Sequence, residues 1–165
     1  MNLSRAFLAG VIAGIVMSIL MALGRAVGIP LAAEMMLGTM FGLPMGAVGT
    51  WVFGFVMHLI VSGLIALLYA VGFERVTHRA GWGVGAAFSL VHILIAGIVM
   101  AMMPLIHPMI PTPMGAPGFL MFNMGAAAAI LFIVEHVIYG ALVGGIYAGE
   151  VLPTRGERFR REAVV

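Results

Sequence analysis

The sequence contains no cysteine and few charged residues, which make up only 8% of its 165 positions. The absence of thiols excludes a disulfide framework, a thiolate metal site and a redox-active thiol. A soluble domain carries about 25% charged residues and is about 45–50% apolar. This chain is instead 63% hydrophobic with a mean hydropathy of +1.18, so its shortage of charge predicts a protein that lies in a membrane.

Basic residues and catalytic motifs are also scarce. All eight basic residues are arginine, and four of them fall within residues 155–161, so the pI of 9.7 reflects a short tail. No basic stripe interleaved with aromatic residues exists elsewhere, which argues against a nucleic-acid-binding surface. The sequence has no Ser/His/Asp arrangement, no paired carboxylates and no glycine-rich phosphate loop, and it therefore does not predict an enzyme.

Four apolar runs are long enough to cross a bilayer as helices, which takes roughly 20 residues. They cover residues 6–28, 48–73, 82–106 and 124–149. A further apolar segment, 31–41, lies between Pro30 and Gly42 and is too short to span, so it predicts an interfacial or re-entrant helix. The predicted fold is all-α: a single polytopic four-helix bundle over residues 1–149, followed by a basic cytoplasmic tail over 150–165.

Arginine marks one side of this bundle. Arginines precede the first span, occupy the loop between the second and third spans, and fill the tail: Arg5, Arg75, Arg79, Arg155, Arg158, Arg160 and Arg161. The loops on the other side, 29–47 and 107–123, contain no lysine or arginine, and Arg25 near the outer end of the first span is the exception. Because basic loops stay in the cytoplasm, we expect a multi-pass protein of the bacterial inner membrane with both termini cytoplasmic.

The two halves of the chain contain matching segments in the same order. Residues 13–17 recur at 96–100, 45–47 recur at 124–126, and His58 with Tyr69-Ala70 recurs as His136 with Tyr147-Ala148. This pattern predicts a 2+2 tandem duplication. Because both halves enter the membrane in the same direction, we expect a pseudo-two-fold axis along the membrane normal, with His58 opposite His136.

Four ionisable residues fall near the middle of the predicted spans: His58, His92, Glu135 and His136. Ionisable side chains at that depth are costly, face the bundle interior and mark functional sites. Gly54 and Gly140, each one helical turn from a histidine, leave room for a flat cofactor or for another helix.

These residues lead to three hypotheses. In the first, His58 and His136 bind haem b or a transition metal between the second and fourth spans, with His92 or Glu135 as a further ligand. Such a protein would serve electron transfer, metal handling or a respiratory assembly. In the second, the same residues form a proton or ion pathway. In the third, they make hydrogen bonds between helices in a structural or accessory subunit that has no cofactor.

Methionine is abundant, and His107 lies within a methionine-rich loop on the outer side. Thioether and imidazole groups are the ligands that Cu(I) selects, so the loop is a candidate copper site with His107 as a metal ligand. Methionine also fills irregular apolar surfaces, which is the alternative interpretation.

Two further patterns concern the surroundings of the bundle. Small residues at four-residue spacing, such as Gly10 with Gly14 and Gly140 with Gly144, predict close helix packing inside the bundle, in a homo-oligomer or in a larger membrane complex. Trp51, Tyr69, Trp82 and Tyr147 lie near the ends of spans, which is typical of aromatic side chains at the lipid headgroups.

Short motifs in the second and fourth spans resemble a group of small four-helix bacterial membrane proteins of unknown function. The resemblance is carried by residues 42–44 (GLP), 51–58 (WVFGFVMH) and 135–140 (EHVIYG), and it covers most of residues 6–149. The last motif has Glu135 where the group usually has glycine. The resemblance implies a four-helix fold and no particular activity.

Overall fold

The structure is a computed structural model that describes the backbone of residues 1–151 and the side chains of residues 1–148. The predicted basic tail lies outside the described residues from residue 152 onward, and its first two residues belong to the backbone of the last helix.

Five α-helices form the described part of the chain, and no strand occurs in it. They are α1 (Leu3–Ala26), α2 (Ala33–Thr39), α3 (Val48–Gly72), α4 (Trp82–Ile106) and α5 (Ala126–Val151). A π-helical turn, Phe73–Thr77, extends α3, and a 3-10 turn, Phe119–Met124, precedes α5. By length and composition α1, α3, α4 and α5 can each cross a membrane, which confirms the predicted all-helical, four-span architecture.

Helix boundaries follow from local signals in the sequence. The side chain of Asn2 caps α1 by accepting a hydrogen bond of 3.0 Å from the backbone N–H of Arg5. Two residues after α1 the backbone reverses at Gly28, whose φ of 89° suits a residue without a side chain.

The spans are not equivalent in their packing. α1 packs against α3 and α5, α5 packs against α4 as well, and α3 and α4 lie at the periphery. Glycines make the close approaches: Gly10 and Gly14 of α1 meet Ser62 of α3, and Gly140 of α5 meets Gly85 of α4. The small-residue faces predicted from the sequence are therefore used between helices of the same chain.

These contacts do not show the predicted two-fold arrangement. A tandem duplication would make α4 equivalent to α1 and α3 equivalent to α5. The close packing of α1 on α5 would then require equally close packing of α3 on α4, which the described residues lack. The duplication and its symmetry axis stay predictions.

The short helix α2 lies against the N-terminal half of α3. The backbone of Glu34 contacts Gly54, and Gly38 contacts Thr50, so the room beside Gly54 is occupied by α2. An ion pair of 3.2 Å between Arg25 and Glu34 joins α2 to the end of α1.

The arginine-rich end of the bundle holds the first residues of the chain against α3 and α5. The terminal amine of Met1 lies 3.0 Å from the carboxylate of Glu74, and the hydroxyl of Tyr147 donates to the same carboxylate. The guanidinium of Arg5 donates to the carbonyl of Ile146 at 2.8 Å. Tyr147 and Tyr69 are thus buried and do not face lipid headgroups, unlike the exposed Trp82.

Candidate functional site

A single cavity of about 410 Å³ brings together most of the polar residues that the sequence marked as functional. It is lined by all four spans, by α2 and by the segment that precedes α5. Its wall is mainly aliphatic and rich in thioethers, with eight methionines: Met17, Met21, Met36, Met100, Met103, Met114, Met121 and Met124. Within this apolar wall, polar groups come from His58, His92, Glu135 and His136, together with Ser62 and Tyr139.

His58 lines the cavity from α3. Its Nδ1 lies 3.0 Å from the hydroxyl of Ser18, so this hydrogen bond joins α3 to α1. The ring is 8% exposed, and the contact is of the interhelical kind that a structural role requires.

His92 and His136 form the closest pair of imidazoles in the described part of the chain. Their ring centroids are 4.7 Å apart, with the planes inclined by 71°. The Nδ1 of His92 lies 3.2 Å from the hydroxyl of Tyr69 on α3, and the Nδ1 of His136 donates to the carbonyl of Phe132 at 2.7 Å. The sequence predicted His58 as the partner of His136, whereas the ring in contact with His136 is that of His92.

The hydrogen bonds of these three imidazoles share one feature: each uses Nδ1. Among residues 1–148, no hydrogen bond reaches Nε2 of His58, His92 or His136. For His136 the tautomer also follows, because a carbonyl can only accept, so Nδ1 carries the hydrogen. A neutral ring of this kind has an unprotonated Nε2, which is an acceptor or a metal ligand.

Glu135 lines the cavity beside His136 and is 3% exposed. Its Oε1 is fully buried and has no hydrogen-bond partner among the described residues. The hydroxyl of Tyr139, one helical turn away, does have a partner: it donates to the backbone carbonyl of Ser62 and so joins α5 to α3. A buried carboxyl without a partner is costly, and such groups call for a ligand, an ion or a proton to complete them.

His107 does not line the cavity. Its Nδ1 accepts a hydrogen bond of 3.1 Å from the backbone N–H of Met109, and its Nε2 donates to the carbonyl of Met36 at 2.9 Å. The hydroxyl of Thr39 lies 3.3 Å from the same Nε2. Both ring nitrogens are committed, so His107 fastens the loop after α4 onto α2, and binding a metal would break one of these bonds.

The arrangement around the cavity limits the metal hypothesis. Within the described residues, no three His, Asp or Glu side chains approach closely enough to hold one metal ion. The room beside Gly140, like that beside Gly54, is filled by a helix, here by Gly85 of α4. The space that the sequence assigned to a flat cofactor or a helix is therefore used for helix packing, and a ligand would occupy the methionine-lined cavity.

Glu34 is a functional candidate that the sequence analysis missed. It is 0% exposed, its Oε2 pairs with Arg25, and its Oε1 has no partner in the part of the chain that the structure describes. Arg25 also donates to the carbonyl of Leu31 at 2.7 Å. The pairing explains why an arginine is found in the last turn of the apolar helix α1, because Glu34 neutralises its charge. The sequence feature that could have predicted this ion pair is the presence of two opposite charges, Arg25 and Glu34, on either side of the turn at Pro30.

Comparisons of the chain with protein-family models, with curated proteins and with solved structures give no match. The resemblance to small four-helix bacterial membrane proteins therefore stays a hypothesis.

Proposed function

We propose that this protein binds a membrane-soluble ligand in the cavity between its spans, with the polar part of the ligand against His92, Glu135 and His136. The observation that carries the proposal is the combination of an apolar wall with uncommitted polar atoms in one cavity. Ligand sites are typically apolar cavities of about 300–1,000 Å³ that contain a few polar groups to fix orientation.

The methionine-rich wall supports this proposal. Methionine is unbranched and flexible, so its side chains adapt to the shape of an apolar partner. Eight methionines from α1, α2, α4 and the segment before α5 surround the same space. A packed structural core favours side chains with defined rotamers, whereas an adaptable wall suits a cavity that a ligand fills.

Haem b or a transition metal is a second candidate for the ligand, which would serve electron transfer, metal handling or a respiratory assembly. Its support is the use of Nδ1 by all three imidazoles, because metal-binding histidines are commonly held by a hydrogen bond at the nitrogen opposite the metal. Such a site would draw on two imidazoles, and the thioethers nearby suit Cu(I).

Purification of the full chain in mild detergent tests both candidates. We expect an organic extract to contain a small molecule in stoichiometric amount, or the protein to show a haem absorption band or a bound metal. The variant Ala96→Phe, which fills the cavity, should lose the bound species, and His136→Ala should weaken its retention. The matched control is His78→Ala, because His78 is exposed outside the cavity and its loss should change nothing. Protein that carries no bound species and binds no added apolar ligand would contradict the proposal.

Three further predictions from the sequence complete the proposal. The chain lies in the bacterial inner membrane with both termini cytoplasmic, as the arginine distribution indicates. Its halves arose by duplication, supported by the repeated segments. A proton or ion pathway and a purely structural subunit remain the rival functions, and protein that carries no bound species would favour them.

A further inference from the structure

Exposed residues of both α3 and α4 line the cavity. Val61 of α3 and Ile95 and Val99 of α4 line it, and these residues are 39%, 56% and 39% exposed. α3 and α4 pack less closely than any other neighbouring pair of spans, since each is held mainly by its own central partner, α1 or α5. An opening between these two spans would face the hydrocarbon chains of the lipids in a membrane.

Apolar side chains lie at both ends of this opening. Towards the arginine-rich end, Phe88 of α4 contacts Tyr69 and Phe73 of α3, with ring centroids 6.2 Å and 5.3 Å apart. Towards the other end, Met36 of α2 and Ile110 of the loop after α4 line the cavity. A route between α3 and α4 would lead to the membrane interior and not to water.

Aromatic rings surround the polar end of the cavity. The ring of His136 lies between those of Phe132 and His92, with centroids 4.2 Å and 4.7 Å away, and Tyr139 lies 5.4 Å from His92. Rings in these arrangements favour another flat ring as their neighbour.

Two polar groups at this end, His136 and Glu135, offer acceptor atoms. Nε2 of His136 is unprotonated because Nδ1 donates to Phe132, and the carboxyl of Glu135 keeps an acceptor oxygen whether or not it is protonated. The hydroxyl of Tyr139 is already committed to Ser62. A ligand group that satisfies Nε2 of His136 must therefore donate a hydrogen bond.

We infer that the ligand is a hydroxylated aromatic ring, a phenol or a quinol, with an apolar tail. The ring lies against His136 and donates from its hydroxyl to Nε2 or to Glu135, and the tail leaves the bundle between α3 and α4. The inference rests on the proposed function and adds to it the chemistry of the ligand and its route from the bilayer.

Two probes that differ only in the donor test the inference: 4-decylphenol, and 4-decylanisole, in which the hydroxyl is methylated. The full chain in lipid nanodiscs is titrated with each probe, and thermal stabilisation gives the apparent affinity. We expect the phenol to bind about tenfold more tightly, because the anisole leaves a buried acceptor unsatisfied. In His136→Phe this difference should shrink.

Two tryptophan variants on α4 test the route. Ile95→Trp narrows the opening and should weaken binding of the phenol, whereas Leu94→Trp is the matched control, because Leu94 is exposed and does not line the cavity. Equal binding of both probes to the unmodified protein would overturn the donor requirement, and unchanged binding in Ile95→Trp would overturn the route. Either result leaves the proposed function intact. Binding of neither probe to the unmodified protein would instead contradict the proposed function, and the inference with it.

Discussion

The polar side chains of the bundle interior form hydrogen bonds that cross from one span to another. Ser18 bonds to His58, Tyr69 to His92, and Tyr139 to the backbone of Ser62, so α3 is joined in turn to α1, α4 and α5. His136 bonds instead to its own helix at Phe132. Its bond therefore fixes the tautomer of the ring without holding two spans together.

At the residue scale, the bond between Ser18 and His58 should contribute measurably to stability. In a double-mutant cycle of Ser18→Ala and His58→Phe, we expect a coupling free energy of about 0.6–1.7 kcal/mol, because hydrogen bonds between membrane helices have that strength. Reversible unfolding in mixed micelles provides the measurement. Ser89→Ala replaces Ser18→Ala in the matched control cycle with His58→Phe. The hydroxyl of Ser89 bonds within its own helix to Ala86, so this cycle should give no coupling. A coupling of zero for Ser18 and His58 would contradict the prediction.

The sequence predicted which polar residues face the interior but not which of them meet. His58, His92, Glu135 and His136 were placed near mid-membrane because helical rise converts position in a span into depth. The contact of His92 with His136 depends on which spans are neighbours, and hydropathy carries no such information. Glu34 was missed because its burial depends on the packing of the short helix α2 against α3.

At the element scale, backbone contact through glycine holds the peripheral helices to the central ones. Gly85 of α4 meets the backbone of Gly140 and Gly144 on α5, and a side chain at any of these positions would collide with main-chain atoms. The four spans were predictable from hydropathy, and so was the spacing of these glycines. The conformation of the loop between α4 and α5 could not be predicted, because its irregular turns depend on contacts such as that of His107 with α2.

Two glycines on the same helix allow a matched test of this packing. Gly85→Ala should destabilise the bundle by about 1–3 kcal/mol, because the new methyl group forces α4 away from α5. Gly83→Ala should be neutral or stabilise by up to about 1 kcal/mol, since nothing lies near Gly83 and alanine is the better helix former. Unfolding in mixed micelles compares the two variants. Equal effects would show that α4 does not depend on this contact.

At the scale of the whole molecule, two features matter: the distribution of arginines, from which the orientation in the membrane is predicted, and the order in which the four spans pack around the cavity. Arg5 and Arg75 lie at one end of the bundle, and the charge of Arg25 near the other end is balanced by Glu34. The two-fold relation between halves was expected from the repeats, but repeated sequence does not determine packing, and α1 and α5 are central while α3 and α4 are peripheral.

The absence of native cysteine makes the orientation directly testable. Met45→Cys lies in the loop before α3 and His78→Cys in the loop before α4, and both positions are exposed. In spheroplasts, a membrane-impermeant maleimide should label Met45→Cys only, and His78→Cys should react after lysis. The reverse pattern would place the termini outside.

The thioether wall of the cavity also gives the protein a chemical vulnerability. Oxidation of methionine to its sulfoxide replaces a flexible apolar side chain with a polar one. Because eight methionines line one cavity, their oxidation by peroxide would make the cavity wall polar and would weaken the binding of an apolar ligand. Occupancy of the cavity would then follow the oxidative state of the membrane and would recover when sulfoxide reductases restore the thioethers.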